Sequence, residues 1–258
     1  MLGPRKHLLW LVGVLSVTGC IREPLEVTCL EDGALVVTEL RLAKQGGSFS
    51  EWVELYNPTD AAVPLAGVTI AVTAEDDFRP EERRLLILAK DDGGLRELGP
   101  GEYAVVGEYT PDSKFLSFHY NRDVVVGADE DGEPIREAHK RVVRGDGELA
   151  SELLVLPEDD EEPAVGALAL ESCGAEIQRL EYALPRLGTL ALDGALDPDG
   201  DHGAAEATPG GAWCVDTRGE DGPAGVRGTP GEANLPCDAL AGDGSTTDTA
   251  DTSGGVEP

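Results

Sequence analysis

Ser50-Glu51-Trp52-Val53-Glu54-Leu55-Tyr56-Asn57, closed by the turn Asn57-Pro58-Thr59-Asp60, decides the fold class of this chain. Side chains alternate across a strand, so Val53 and Leu55 face one way while Trp52, Glu54 and Tyr56 face the other. The same period holds upstream, where Ala34, Val36, Thr38, Leu40 and Leu42 fall on one face. Downstream, Val68, Ile70 and Val72 alternate with Thr69 and Ala71, entered through Pro64-Leu65-Ala66-Gly67. Further strands are predicted over Arg84–Ala89, Glu102–Gly107, Glu148–Leu156, Ala167–Glu171 and Ala175–Tyr182. Polar turns such as Asp91-Asp92-Gly93-Gly94 and Gly99-Pro100-Gly101 separate them. With 33 glycines, 17 prolines and few aromatics, the pattern predicts an all-β sandwich of short strands, not a helical domain.

Residues 108–147 break this rhythm. They carry Phe115, Phe118 and Tyr120, then Asp129-Glu130-Asp131-Gly132, then a basic patch at His139, Lys140, Arg141 and Arg144. An insertion over about 108–166 is expected, with its own short structure, and the acidic run Glu158–Glu162 reads as a solvated loop. Residues 238–258 are Gly, Ser, Thr and Asp with almost no apolar side chain. Such a tail buries too little surface to offset its ordering entropy and is predicted to be disordered.

The N-terminus carries a secretory signal. Arg5 and Lys6 precede an apolar run from Leu8 to Val17. That run is about ten residues, whereas a membrane-spanning helix needs roughly 18 or more. It ends in Val17-Thr18-Gly19-Cys20, which resembles the lipobox of bacterial lipoproteins. The resemblance implies cleavage after residue 19, a diacylglyceryl thioether on Cys20 and acylation of the new amine. Two or three acyl chains hold stably what one holds marginally, at about 0.8 kcal/mol per buried CH₂. The plainer alternative is a secreted protein in which Cys20 plays no such part. Ile21 stands where an inner-membrane lipoprotein often has aspartate, which points to the outer membrane. Residues 20–33 would be the tether.

The formal net charge is −30, and removal of residues 1–19 takes two cations and no acid, so −30 becomes −32. Nucleic acid and anionic headgroups are repelled by such a surface. Divalent cations, basic proteins or an envelope polysaccharide are the partners left open. Four cysteines follow Cys20, an even number that reads in an exported chain as two disulfides with three open pairings. Cys214 with Cys237 is favoured because it closes a Gly/Pro-rich segment with little core of its own. Cys29 with Cys173 would then tie the lead-in to a late strand. No C-x₂₋₄-C spacing supports zinc.

Val37-Thr38-Glu39-Leu40 followed by Trp52-Val53-Glu54-Leu55-Tyr56-Asn57-Pro58 resembles the opening of the lamin tail domain. Leu65-Ala66-Gly67-Val68 is similar to its L-x-G turn, and Leu98-Gly99-Pro100-Gly101-Glu102-Tyr103-Ala104-Val105-Val106 to its glycine-rich turn and next strand. Ala167-Leu168-Ala169-Leu170, Gly174 and Ile177 to Tyr182 resemble its penultimate hairpin. Gly228-Thr229-Pro230-Gly231-Glu232-Ala233-Asn234 resembles its closing T-P-G-x-x-N. Exported bacterial versions share Trp213-Cys214 before that turn and a cysteine after it. The resemblance spans about residues 34–235 and implies an immunoglobulin-like β-sandwich used for binding or anchoring. It makes Trp52, Glu54, Tyr56, Asn57, Gly67, Thr229, Pro230, Gly231 and Asn234 structural positions. The stretch 108–166 is longer than the family usually allows, which interrupts the expected strand pairing.

Candidate chemistry is sparse. Glu54 between two aromatics could be a catalytic acid with a raised pKa; the plainer reading is a carboxylate that bonds backbone and fixes its strand. Asp197-Pro198-Asp199-Gly200-Asp201, with Asp193 and His202 beside it, has oxygen ligands at alternate positions, as a Ca²⁺ loop needs. Position 12 counted from Asp197 is Thr208, not the glutamate of an EF-hand. His119, His139 and His202 are dispersed, and no nucleophile elbow, P-loop or dinucleotide fingerprint occurs. The expectation is a non-catalytic envelope lipoprotein that needs no cofactor. The alternative is a Ca²⁺- or Mg²⁺-dependent hydrolase, or a calcium-binding surface protein, built on loop 193–202.

Overall fold

Val68, Ile70 and Val72 are fully buried while Thr69 and Thr73 are partly exposed, so the period-two pattern marks a strand with one face in the core. β-branched side chains at these positions suit the pleated backbone. The computed structural model describes residues 27–41, 51–74, 81–87, 97–108, 117–120, 123–128, 134–138, 142–150, 152–154, 163–185, 188–198, 206–217 and 228–240. The signal segment, Cys20, Leu42, Ala89, Glu158–Glu162, Asp199, Asp201, His202 and residues 241–258 lie outside them.

The early strands are β1 (Val36–Arg41), β2 (Trp52–Tyr56), β3 (Val63–Pro64), β4 (Val68–Ala74), β5 (Glu81–Leu86), β6 (Glu97–Leu98) and β7 (Tyr103–Glu108). Then come β8 (Phe118–Tyr120), β9 (Asp123–Ala128), β10 (Pro134–Ala138), β11 (Val142–Arg144) and β12 (Leu149–Ala150). Last are β13 (Ala164–Ser172), β14 (Ala175–Leu184), β15 (Thr189–Leu192), β16 (Glu206–Ala207), β17 (Trp213–Asp216) and the helical turn α1 (Cys237–Leu240). One sheet has the order β17-β15-β1-β2-β7-β8 and the other β12-β11-β5-β4-β13-β14-β16. Two small pairs, β3–β6 and β9–β10, stand apart. Pairing is antiparallel except at β7–β8 and β14–β16. Both sheets feed one core, the first through Leu40, Val53 and Leu55, the second through Ile70, Leu85, Leu168, Leu170 and Leu180. The domain is all-β.

Several expectations change. A bulge between Val37 and Glu39 breaks the alternation in β1, so the core takes Leu35, Val37 and Leu40 instead of one unbroken face. β5 begins at Glu81, earlier than expected. Its first four residues are charged and hide any apolar period, but they pair in register with β4. Of Glu148–Leu156, the strand is Leu149–Ala150 alone; Leu153 and Leu154 are buried without joining a ladder. The stretch read as an insertion contributes to both sheets. β8 extends the first beside β7, β11 and β12 extend the second beside β5, and the β9–β10 pair stands alone. Residues 238–240, read as the start of the tail, belong to α1.

Cys29 and Cys173 stand at disulfide distance, with Cα atoms 5.4 Å apart, and so do Cys214 and Cys237 at 5.6 Å. Cys173 and Gly174 form the two-residue turn between β13 and β14, both with positive φ (51° and 80°). That is the backbone a tight hairpin with right-twisted strands requires. The non-glycine residue in the left-handed region is held by its bond to Cys29. The Leu30 amide donates to Ser172 Oγ at 3.0 Å and the Gly33 amide to the Ile177 carbonyl at 3.0 Å. Replacing both Cys29 and Cys173 with serine is expected to lower the unfolding free energy by about 4 kcal/mol, the loop-closure effect of a long cross-link. Paired chemical-denaturation curves of wild type and double variant measure it.

Candidate functional site

The bulge in β1 places Glu39 opposite Glu54 of β2, and Arg41 opposite Trp52. All four side chains are at most 3% exposed, although they lie on the face of these strands that points away from the apolar core residues Leu40 and Val53. The cover is the Thr-Pro-Gly segment. The Thr229 amide donates to Glu39 Oε1 at 2.8 Å, and the Gly231 amide donates to Glu54 Oε2 at 2.6 Å. Thr38 Oγ1 lies 2.8 Å from Glu54 Oε1, and Asn234 Nδ2 donates to the Thr38 carbonyl at 2.9 Å. Thr229 Oγ1 sits between two acceptors, 2.8 Å from Glu39 Oε1 and 2.7 Å from Asn234 Oδ1. Gly228, at φ 114°, passes so close that an added Cβ would lie 3.1 Å from Thr189 Oγ1 and 3.2 Å from Glu39 Oε2.

Burial pushes the Glu39 carboxyl up to about 7, against the pull of its bonds to Thr229 and of the neighbouring Trp52 indole, and with a further push from Asp216 on β17. Glu54 is held well above its ordinary value, first by burial and then by the Glu39 charge, against donors from Gly231 and Thr38. Tyr103, opposite Tyr56 in the ladder with ring centroids 4.7 Å apart, is pushed up to about 12 by burial, by Tyr56 and by the two carboxylates. The Arg41 guanidinium stacks 4.7 Å from the centre of the Trp52 ring.

A second buried acid lies one residue before β2. Glu51 accepts from Tyr120 Oη at 2.5 Å and from the amides of Leu153 and, at 2.9 Å, Leu154. It fastens β8 and the segment after β12 to the first sheet. Burial pushes this carboxyl up to about 7, against those three donors.

The other positions of the lamin-tail resemblance serve turns. Asn57 is fully buried; Nδ2 donates to the carbonyls of Ala61 and Leu98 at 2.8 and 2.7 Å, and Oδ1 accepts the Thr59 amide at 2.9 Å. Gly67, at φ 91°, donates to the Ile87 carbonyl and carries the chain into β4. Pro230 is buried within the covering turn. In the acidic loop, Asp193 Oδ1 accepts the amides of Ala195 and Cys237, and Asp197 is exposed. Among the described residues no three His, Cys, Asp or Glu side chains group as a metal site, and no helix is long and apolar enough to cross a membrane.

Sequence reading missed Glu39, Glu51, Asp216 and Tyr120. The available signal was acids set inside apolar alternation, in Val-Thr-Glu-Leu and Ser-Glu-Trp-Val-Glu-Leu. Comparison with family models, curated proteins and solved structures found no match for the chain.

Glu51→Ala leaves a phenol and two amides without their acceptor, so it should destabilise the fold by about 3 kcal/mol or more, read from urea melts. Stability should also fall with rising pH. Glu39 and Glu51 bind protons more tightly folded than unfolded, so their contribution is full below the ordinary value of 4.5 and lost as pH climbs through about 7. The loss is on the order of 3 kcal/mol per group, and melting temperatures measured from pH 4.5 to 8 test the sign.

Proposed function

We propose that this chain is a lipid-anchored envelope protein whose domain is a lamin-tail-like, immunoglobulin-like β-sandwich serving as a non-catalytic binding, adhesion or envelope-organising module. One observation carries the reading. Glu54 and Gly231, 177 residues apart in sequence, meet in a hydrogen bond, and Thr229 and Asn234 join the same cluster. Four positions singled out by the resemblance thus share one structural task. The all-β sheets and the paired cysteines agree with an exported domain of this kind. Glu54 supports a fixing role, because both its oxygens are engaged by donors of the chain itself.

In this reading Cys20 carries the acyl chains, and a tether of about a dozen residues keeps the domain within tens of ångströms of the bilayer. The net charge keeps it off anionic headgroups and leaves a protein or polysaccharide of the envelope as partner. Cys20→Ala is expected to abolish incorporation of labelled palmitate and to move the protein from the membrane to the soluble fraction. Unchanged labelling and fractionation would overturn the anchor. A hydrolase activity of the purified protein, abolished by one point substitution, would overturn the non-catalytic assignment.

A further inference from the structure

Proton counting at the covering turn leads beyond the anchoring role. Thr229 Oγ1 has one hydrogen and two oxygen neighbours, Glu39 Oε1 and Asn234 Oδ1. The Asn234 amide group is oriented by its Nδ2 bond to the Thr38 carbonyl, so Oδ1 faces Thr229 as an acceptor. If Thr229 gives its hydrogen to Asn234, the short Glu39–Thr229 contact needs a proton on the carboxyl. Glu54 has the Gly231 amide as donor to one oxygen and, on the other, the Thr38 hydroxyl, which can donate to the carboxylate or accept from the acid.

We infer that the Glu39–Glu54 pair shares a single proton, and that this proton pins a pH-sensitive latch fastening the turn 228–234 over β1 and β2. Its loss would set two charges side by side out of water, with Thr229 Oγ1 facing two acceptors and one hydrogen to share. The groups packed around the pair set the direction. Arg41 and Trp52 lie alongside on β1 and β2, Tyr56 and Tyr103 face it from β2 and β7, Thr189 from β15, and Asp216 adds a third acid from β17. Both carboxyls bind protons more tightly than usual, Glu54 the more strongly, which agrees with one proton shared by the pair near neutrality. The turn stays closed in mild acid and loosens as pH rises above about 7. Cys214–Cys237 keeps the loosened segment tied to β17, so the opening is local and reversible.

Hydrogen exchange on the full chain across pH 6 to 8.5, corrected for the intrinsic rate, tests the latch. Peptides covering 228–236 should lose protection by roughly tenfold or more, at least one pH unit's worth of a single ionisation, in wild type and not in Glu39→Gln. Glu39→Gln should remove the pH dependence, because Gly231 and Asn234 still hold the turn. The latch is overturned by flat protection of 228–236 in the wild type, or by a pH response of these peptides that survives in Glu39→Gln. Carboxyl ¹³C NMR of the wild type gives a second readout independent of the variant. A protonated glutamate at pH 6 that is assigned to Glu39 or Glu54 and not to Glu51 supports the latch, and ionised shifts for both Glu39 and Glu54 at that pH overturn it.

Discussion

Three carboxylates near the start of the first sheet, Glu39, Glu51 and Glu54, are cut off from water. Removing a charge from water costs more than any single hydrogen bond returns, so each acid must collect several donors or keep a proton. Their donors come from far along the chain: Tyr120, Leu153 and Leu154 for Glu51, Thr229 and Gly231 for the pair. The arrangement of the later segments follows from this demand. A residue that misplaced one of those amides would leave a buried acid unsatisfied, and such networks specify one arrangement more strongly than apolar packing does.

The strands were legible where packing alone sets them. Val68–Ala74 buries Val68, Ile70 and Val72 in a period of two and the β13–β14 hairpin keeps that period apart from a shift at Leu170–Glu171, while the composition of the segment it closes favoured Cys214 with Cys237 and left Cys29 for Cys173. The bulge at Val37–Glu39 was not legible, because it serves to bring Glu39 opposite Glu54, a partner outside its own strand. β5 was displaced in the reading because its charged start gives no apolar signal. The middle of the chain read as an insertion since its contributions are short: β8, β11 and β12 are two or three residues each. Their placement depends on Glu51, whose role is visible only when Tyr120 and Leu153 stand beside it.

Glu54 was legible as a structural position, although its chemical partners were not. A carboxylate between two aromatics on a strand invites a catalytic reading until the covering turn is seen. The Thr-Pro-Gly sequence supplies what the acids need: a threonine that offers both amide and hydroxyl, a proline that fixes φ, and a glycine that allows φ of 85° where its amide reaches Glu54. The motif is a donor array as much as a turn.

The bond between Cys29 and the hairpin residue Cys173 also decides how the domain meets mechanical force. Tension applied to the chain ahead of Cys29 enters the fold at the tip of the β13–β14 hairpin, and the covalent bridge shields the backbone leading into β1. That hairpin is the longest among the described residues and is paired on its other side with β4 along seven positions. A pull at the N-terminus is therefore shared across the second sheet, and the strand carrying Glu39 is spared from being peeled away.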